Sequence, residues 1–127
     1  QGTTYEYFAI TSDQKVIYPS YNSETNSADF LLLNLDKPSN FIPIKLNANP
    51  SIPSDGQELT VMGWGVDESG YMSKIPKATT VQAVSNSLCS SRYQFKSEIS
   101  ENELCASGDK SDSCQGDSGG PLIKRCK

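Results

Sequence analysis

The sequence predicts an all-β, barrel-like protein. The hydrophobic signal has a period of two or comes in short apolar blocks, and stripes at helical spacing are scarce. There is no internal repeat or low-complexity tract, and 127 residues are enough for one domain with a core but not for two full ones.

Taken in order, Tyr5–Thr11 is rich in aromatic and β-favouring residues and reads as a strand. Lys15–Tyr18 is a second short strand, stopped by Pro19. Phe30–Leu35 is a nearly continuous apolar run, the pattern of a strand buried on both faces. From Lys37 to Gly56 the chain is rich in Pro, Asn and Ser, with only Phe41–Leu46 apolar, and reads as a connector between two sub-domains. Strands resume at Glu58–Gly63 and Thr79–Val84, separated by a surface loop over Val66–Pro76. Ser85–Tyr93 is the one short helix, with Ser85 or Ser87 as its N-cap. Glu103–Ala106 and Pro121–Lys124 are short strands flanking a polar, Gly-rich loop.

Fifteen acidic residues against eleven basic ones give a net charge of −4, which argues against a nucleic-acid-binding face. No stretch approaches the roughly 18 apolar residues of a membrane span. The chain starts at Gln1 and stops at Lys127 just after an apolar run, so both ends read as cuts. Cys89, Cys105, Cys114 and Cys126 include no Cys-x-x-Cys pair, and the chain has no histidine, so a structural zinc site is not expected. Four such cysteines fit an oxidised, secreted protein, with three pairings open.

Residues Asp112–Leu122 read DSCQGDSGGPL. Glycines on both sides of Ser118 allow a tight turn and close approach of a substrate to the main chain. Such a turn can aim the N–H groups of Gly116 and Ser118 at one point, as stabilisation of an oxyanion requires. The hydroxyl of Ser118 would then be the attacking group. An isolated Gly-Asp-Ser-Gly would be no more than a surface turn; the whole eleven-residue run says more.

That run resembles the nucleophile segment of the trypsin/chymotrypsin family of serine endopeptidases. Further landmarks follow in family order. Tyr18-Pro-Ser-Tyr21 with Ala28-Asp29-Phe-Leu-Leu-Leu-Asn-Leu35 resembles the segment of the triad aspartate, and Pro43-Ile-Lys-Leu46 the strand before the inter-barrel connection. Gly63-Trp64-Gly65 resembles the family's Gly-Trp-Gly, and Glu103-Leu-Cys-Ala106 the strand before its specificity pocket. The resemblance implies a double β-barrel, with about 1–46 as the end of the first barrel, about 47–57 as connector and about 58–127 as part of the second. It implies Ser118 as nucleophile, Asp29 as the buried acid orienting a histidine, and Gly116 and Ser118 as oxyanion donors. Asp117 resembles the aspartate that pairs with a freshly cut N-terminal amine on activation. Asp112, six residues before Ser118, resembles the pocket-floor carboxylate for substrate Arg or Lys, with Ser113 and Gln115 completing that pattern. A disulfide between Cys89 and Cys105 is implied as well. Polypeptides with Arg or Lys are the implied substrates and protein protease inhibitors further partners; no metal or organic cofactor is implied.

The match has gaps. The family histidine lies roughly 45 residues before the triad aspartate, whereas only 28 residues precede Asp29. Without that base a serine hydroxyl is a poor nucleophile, so the chain alone is expected to be inactive, and open strand edges and unmatched barrel halves lead us to expect that it folds poorly. Cys114 resembles a cysteine whose family partner lies beyond Lys127. Cys126 departs from the pattern, because the family cysteine sits two residues nearer the serine and its partner position is Leu59 here. Two other readings stand beside the protease: a catalytically dead homologue kept as a binding or regulatory module, and a secreted β-rich binding domain with a coincidental motif.

Overall fold

The computed structural model describes residues 5–92, 99–100 and 102–125. It is built from short antiparallel strands with one short helix, as the sequence predicts, and falls into two compact units, Gln1–Leu46 and Asn47–Lys127.

In the first unit, β1 (Lys15–Ile17) pairs antiparallel with β2 (Leu31–Leu33), with Val16 opposite Leu32. The Tyr18 N–H donates to the Phe30 carbonyl at 3.0 Å and the Asn34 N–H to the Gln14 carbonyl at 2.9 Å, lengthening the ladder beyond both ends. The expected strand over Tyr5–Thr11 is not formed. Exposure does alternate there, but the segment finds no ladder partner among the described residues and is fastened by side chains. Glu6 accepts hydrogen bonds from the Ser39 hydroxyl and from both amide groups of Asn40. Those donors hold its carboxyl below the usual carboxylate range. Thr11 closes on Gln14 around a single 3-10 turn, Ser12–Gln14.

The apolar run at β2 is also a correction. Leu31, Leu32 and Leu33 are all exposed, Leu32 by 70 %, where burial on both faces was expected. A two-stranded ribbon gives each strand one neighbour and no second layer, so apolar sequence alone cannot bury it.

The second unit is a four-stranded antiparallel sheet in the order β5-β4-β3-β6. Its strands are β3 (Glu58–Gly63), β4 (Lys77–Val84), β5 (Cys105–Ser107) and β6 (Leu122–Ile123). β3 and β4 form its spine, in register from Glu58 opposite Gln82 to Gly63 opposite Lys77. Leu59 faces Val81 across that ladder, and Ala83, two residues on, shares the same face by the strand's period of two. These three form the buried cluster, with Val61 and Ala106 packed against it. Helix α1 (Asn86–Arg92) follows β4, and its buried Cys89 is joined to Cys105 of β5 by a disulfide.

Several ends differ from expectation. β4 starts two residues earlier than Thr79 because its ladder with β3 runs on to Lys77. β5 starts at Cys105 and not at Glu103, whose carbonyl is taken by the Asn86 side chain. β6 is limited to Leu122–Ile123, opposite Val61 and Thr60. The Ser85 carbonyl accepts the Cys89 N–H at 2.9 Å, placing Ser85 at the helix N-cap. Tyr93 and Cys126 lie outside the described residues.

β5 and β6 are edges, so this sheet does not close into a barrel among the described residues. Among the described residues of both units, four apolar residues are buried, while twenty-two large apolar side chains are exposed. So small a core cannot offset the backbone entropy of ordering such a chain. The isolated 127-residue chain is therefore expected to melt without a sharp cooperative transition and to bind an apolar dye. A cooperative melt with a well-dispersed amide spectrum would contradict this.

Candidate active site

The site starts where β3 runs out. β6 pairs with β3, so the loop leading into β6 lies beside Gly63-Trp64-Gly65 at the end of β3. Half-buried Asp117 joins the two segments. Its Oδ1 accepts the Gly65 N–H and its Oδ2 the Cys114 N–H, each at 2.8 Å. Both glycines are needed for the carboxylate to fit. A Cβ at Gly65 would stand 2.5 Å from Asp117 Cγ and 2.6 Å from each carboxylate oxygen, and a Cβ at Gly63 would collide with Oδ1.

Around Asp117 the chain makes two consecutive turns. The Asp117 N–H donates to the Cys114 carbonyl at 3.0 Å, and the Gly120 N–H to the Asp117 carbonyl at 2.9 Å. The third residue of each turn is a glycine with positive φ, Gly116 at +96° and Gly119 at +82°. That is the backbone a type II turn demands and a side chain resists. Ser118 occupies the exposed corner of the second turn. In such turns the central N–H groups are not used by the turn itself. Accordingly, the N–H groups of Gly116 and Ser118 donate no hydrogen bond to protein among the described residues.

The other expected residues are placed less tightly. Asp112 is exposed, where a buried carboxylate was expected. It accepts the Ser113 N–H at 2.8 Å and the Gly108 N–H at 3.3 Å, so it shapes its own loop, and no described residue covers it. Ser113 enters through that N–H. Gln115 enters through its carbonyl, which accepts the Val66 N–H at 2.9 Å. Asp29 belongs to the first unit and is exposed, not buried; it stands between Ala28, with φ of +55°, and the start of β2. Cys114 is exposed and has no disulfide partner among the described residues. A cleft of about 430 Å³ runs past Gly65, Lys77, Asp112, Cys114 and Asp117. A larger hollow of about 1040 Å³, bordered by Asp55, Glu58, Lys124 and Arg125, is lined by none of these candidate site residues.

The expected loop after Gly65 is a hairpin. Ser73 donates to the Gly65 carbonyl and Asp67 to the Tyr71 carbonyl, both at 3.1 Å, and Val66 bridges Met72. Asp67 accepts from the hydroxyl and N–H of Ser69 and pairs with Lys77 Nζ at 2.9 Å. Lys77 also reaches Glu68 at 2.8 Å. The Ser69 hydroxyl first, and Lys77 next, lower the Asp67 pKa to about 2. Met72 lies against Gly116, so a Cβ there would stand 2.6 Å from its Cε and 2.9 Å from its Sδ. Nothing in the sequence signals that contact, because a loop methionine obeys no periodicity.

These features define a serine-centred turn carried on a β-sheet, with two amides that meet no protein acceptor among the described residues. The family model described as Trypsin matches residues 2–127. The chain is 37 % identical over 123 residues to glucanase inhibitor protein 2 of Phytophthora infestans, covering 94 % of this chain and 46 % of that protein. It is 37 % identical over 112 residues to trypsin beta of Drosophila erecta, covering 84 % of this chain and 44 % of that protein. The structure of mouse neuropsin, a serine protease, superposes with a TM-score of 0.78 at 28 % identity, over 91 % of this chain and 54 % of neuropsin. The chain belongs to the trypsin family of serine proteases and has its all-β fold. It spans under half the length of the two sequence relatives.

Gly65→Ala should expel the Asp117 carboxylate and cost about 1–3 kcal/mol of stability, the usual range for overpacking; denaturant unfolding measures it. Asp67 gives a pH prediction. Its folded pKa, about 2, lies below its ordinary value of 3.8, so its contribution is present above that ordinary value and lost as pH falls through about 2. A carboxyl titration by NMR should find that midpoint. Lys77→Met should raise it, while the Ser69 bonds keep it below the ordinary value.

Proposed function

We propose that the protein containing this chain is a secreted serine endopeptidase cleaving after Arg or Lys. The observation that carries the reading is the pair of turns sharing Asp117, with exposed Ser118 beside the unpartnered N–H groups of Gly116 and Ser118. In this reading Ser118 Oγ attacks the scissile carbonyl, and the two amides take the negative charge that develops on its oxygen. Asp29 orients and stabilises the histidine that accepts the serine proton. Asp112 receives the substrate's guanidinium or ammonium, with Ser113 and Gln115 beside it. Asp117 is the acceptor for an activating N-terminal amine. Residues 1–46 are the end of one barrel, 47–57 the connector and 58–127 part of the second barrel. Protein protease inhibitors would bind the same face.

The 127 residues hold no histidine and on this reading do not hydrolyse peptides by themselves. A second reading, a catalytically dead homologue acting as a binding or regulatory module, is favoured by one observation: a relative as similar as the trypsin is named for inhibiting a glucanase.

Hydrolysis of Arg and Lys esters by the full-length protein tests the proposal. The wild type is expected to exceed Ser118→Ala by on the order of 10⁴-fold or more in kcat, and Asp112→Asn to lose most of its Arg preference. The 127-residue chain should match the Ser118→Ala background. A full-length protein at background, with another residue at the histidine position, would move the assignment to the binding module.

A further inference from the structure

We propose that Met72 is a positioning residue that fixes the direction of the Gly116 N–H; the inference rests on the reading of that amide as an oxyanion donor. The peptide between Gln115 and Gly116 is the central peptide of the turn Cys114–Asp117. Turn types I and II differ by a rotation of roughly 180° of that central peptide. Glycine at the third position tolerates either form. The closing bond from Asp117 to Cys114 therefore leaves the direction of the Gly116 N–H undecided.

The hairpin at Gly65–Ser73 decides it. In a trans peptide the carbonyl and N–H point opposite ways. The Val66 N–H holds the Gln115 carbonyl at 2.9 Å, and this aims the Gly116 N–H the opposite way within the peptide plane, away from Val66. Met72 sits across from Val66 in the same hairpin and places its Sδ and Cε over Gly116, where a side chain would otherwise go. Met72 is 56 % exposed and absent from the buried cluster, so core packing does not account for its place. On this proposal, that contact against Gly116 resists movement of its end of the peptide on reversal. The base of the hairpin is anchored to β4 by Lys77 through Asp67 and Glu68.

The test compares Met72→Ala with Met72→Leu in the full-length protein, Leu restoring apolar bulk. Three quantities are read: steady-state constants for an Arg ester, inhibition by benzamidine as a probe of the Asp112 pocket, and the through-hydrogen-bond NMR coupling between Val66 N and Gln115 C′. Loss of one oxyanion donor lowers kcat by about 10²–10³-fold, so a partly reversed peptide should lower it by about tenfold or more. Met72→Ala is expected to show that fall with KM and benzamidine affinity unchanged and the coupling lost, and Met72→Leu to restore both. An unchanged coupling in Met72→Ala, or kcat and benzamidine affinity falling together, would overturn the proposal. If the wild type hydrolyses no ester, the protease reading fails, and the coupling alone still decides whether Met72 holds the peptide.

Discussion

The Asp117 carboxylate is the constraint on which the second unit's loops depend. One oxygen holds Gly65 at the end of β3 and the other holds Cys114 at the start of the serine turn. Hydrogen bonds to a charged group contribute about 1.5–3 kcal/mol each, more than a typical neutral pair. The bond to Gly65 is partly buried, which limits competition from water, while the bond to Cys114 is exposed. Removing the carboxylate would therefore free two segments at once, and would leave two amides to find new partners. The glycines at 63 and 65 are a consequence, since a Cβ on either would take the space the carboxylate fills.

From that bridge the rest follows by short-range geometry. Asp117 ends one turn and begins the next, so its position fixes Gly116 on one side and Ser118 on the other. The hairpin after Gly65 is fastened by Val66 to Gln115 and by Lys77 to Asp67 and Glu68. The two fastenings differ in kind. The first is a backbone bond that salt does not screen, while the second is a set of ion pairs, partly covered at Asp67 and exposed at Glu68, that salt weakens.

The sequence made some of this legible and hid the rest for physical reasons. Positive-φ glycines flanking a serine announce their turns, because few other residues accept that backbone; Gly116 and Gly119 were readable in this way. β3 and β4 were readable because a period of two survives in strands with one covered face. The Phe30–Leu35 run shows the limit: apolar sequence states what a strand would prefer to bury, and only a second layer can bury it. Tyr5–Thr11 has strand-like composition without a ladder partner, since propensity is local and pairing is not. Asp112 could be assigned a role by resemblance, but its exposure depends on what covers the loop. The contact of Met72 with Gly116 joins residues 44 positions apart and leaves no mark on the sequence at either end.

The proposed oxyanion donors and the proposed proton chemistry have different structural origins. The Gly116 and Ser118 amides are set by contacts confined to the second unit: Asp117, Gly65, Val66 and Met72. The acid proposed to orient the base, Asp29, belongs to the first unit, and the base is not among these 127 residues. A turn that supports its own shape does not need the base in order to form. Loss of a histidine elsewhere would thus abolish proton transfer while leaving the serine turn, its free amides and the surrounding cleft in place. This chain is equally similar, at 37 % identity, to a relative named as a trypsin and to one named as a glucanase inhibitor.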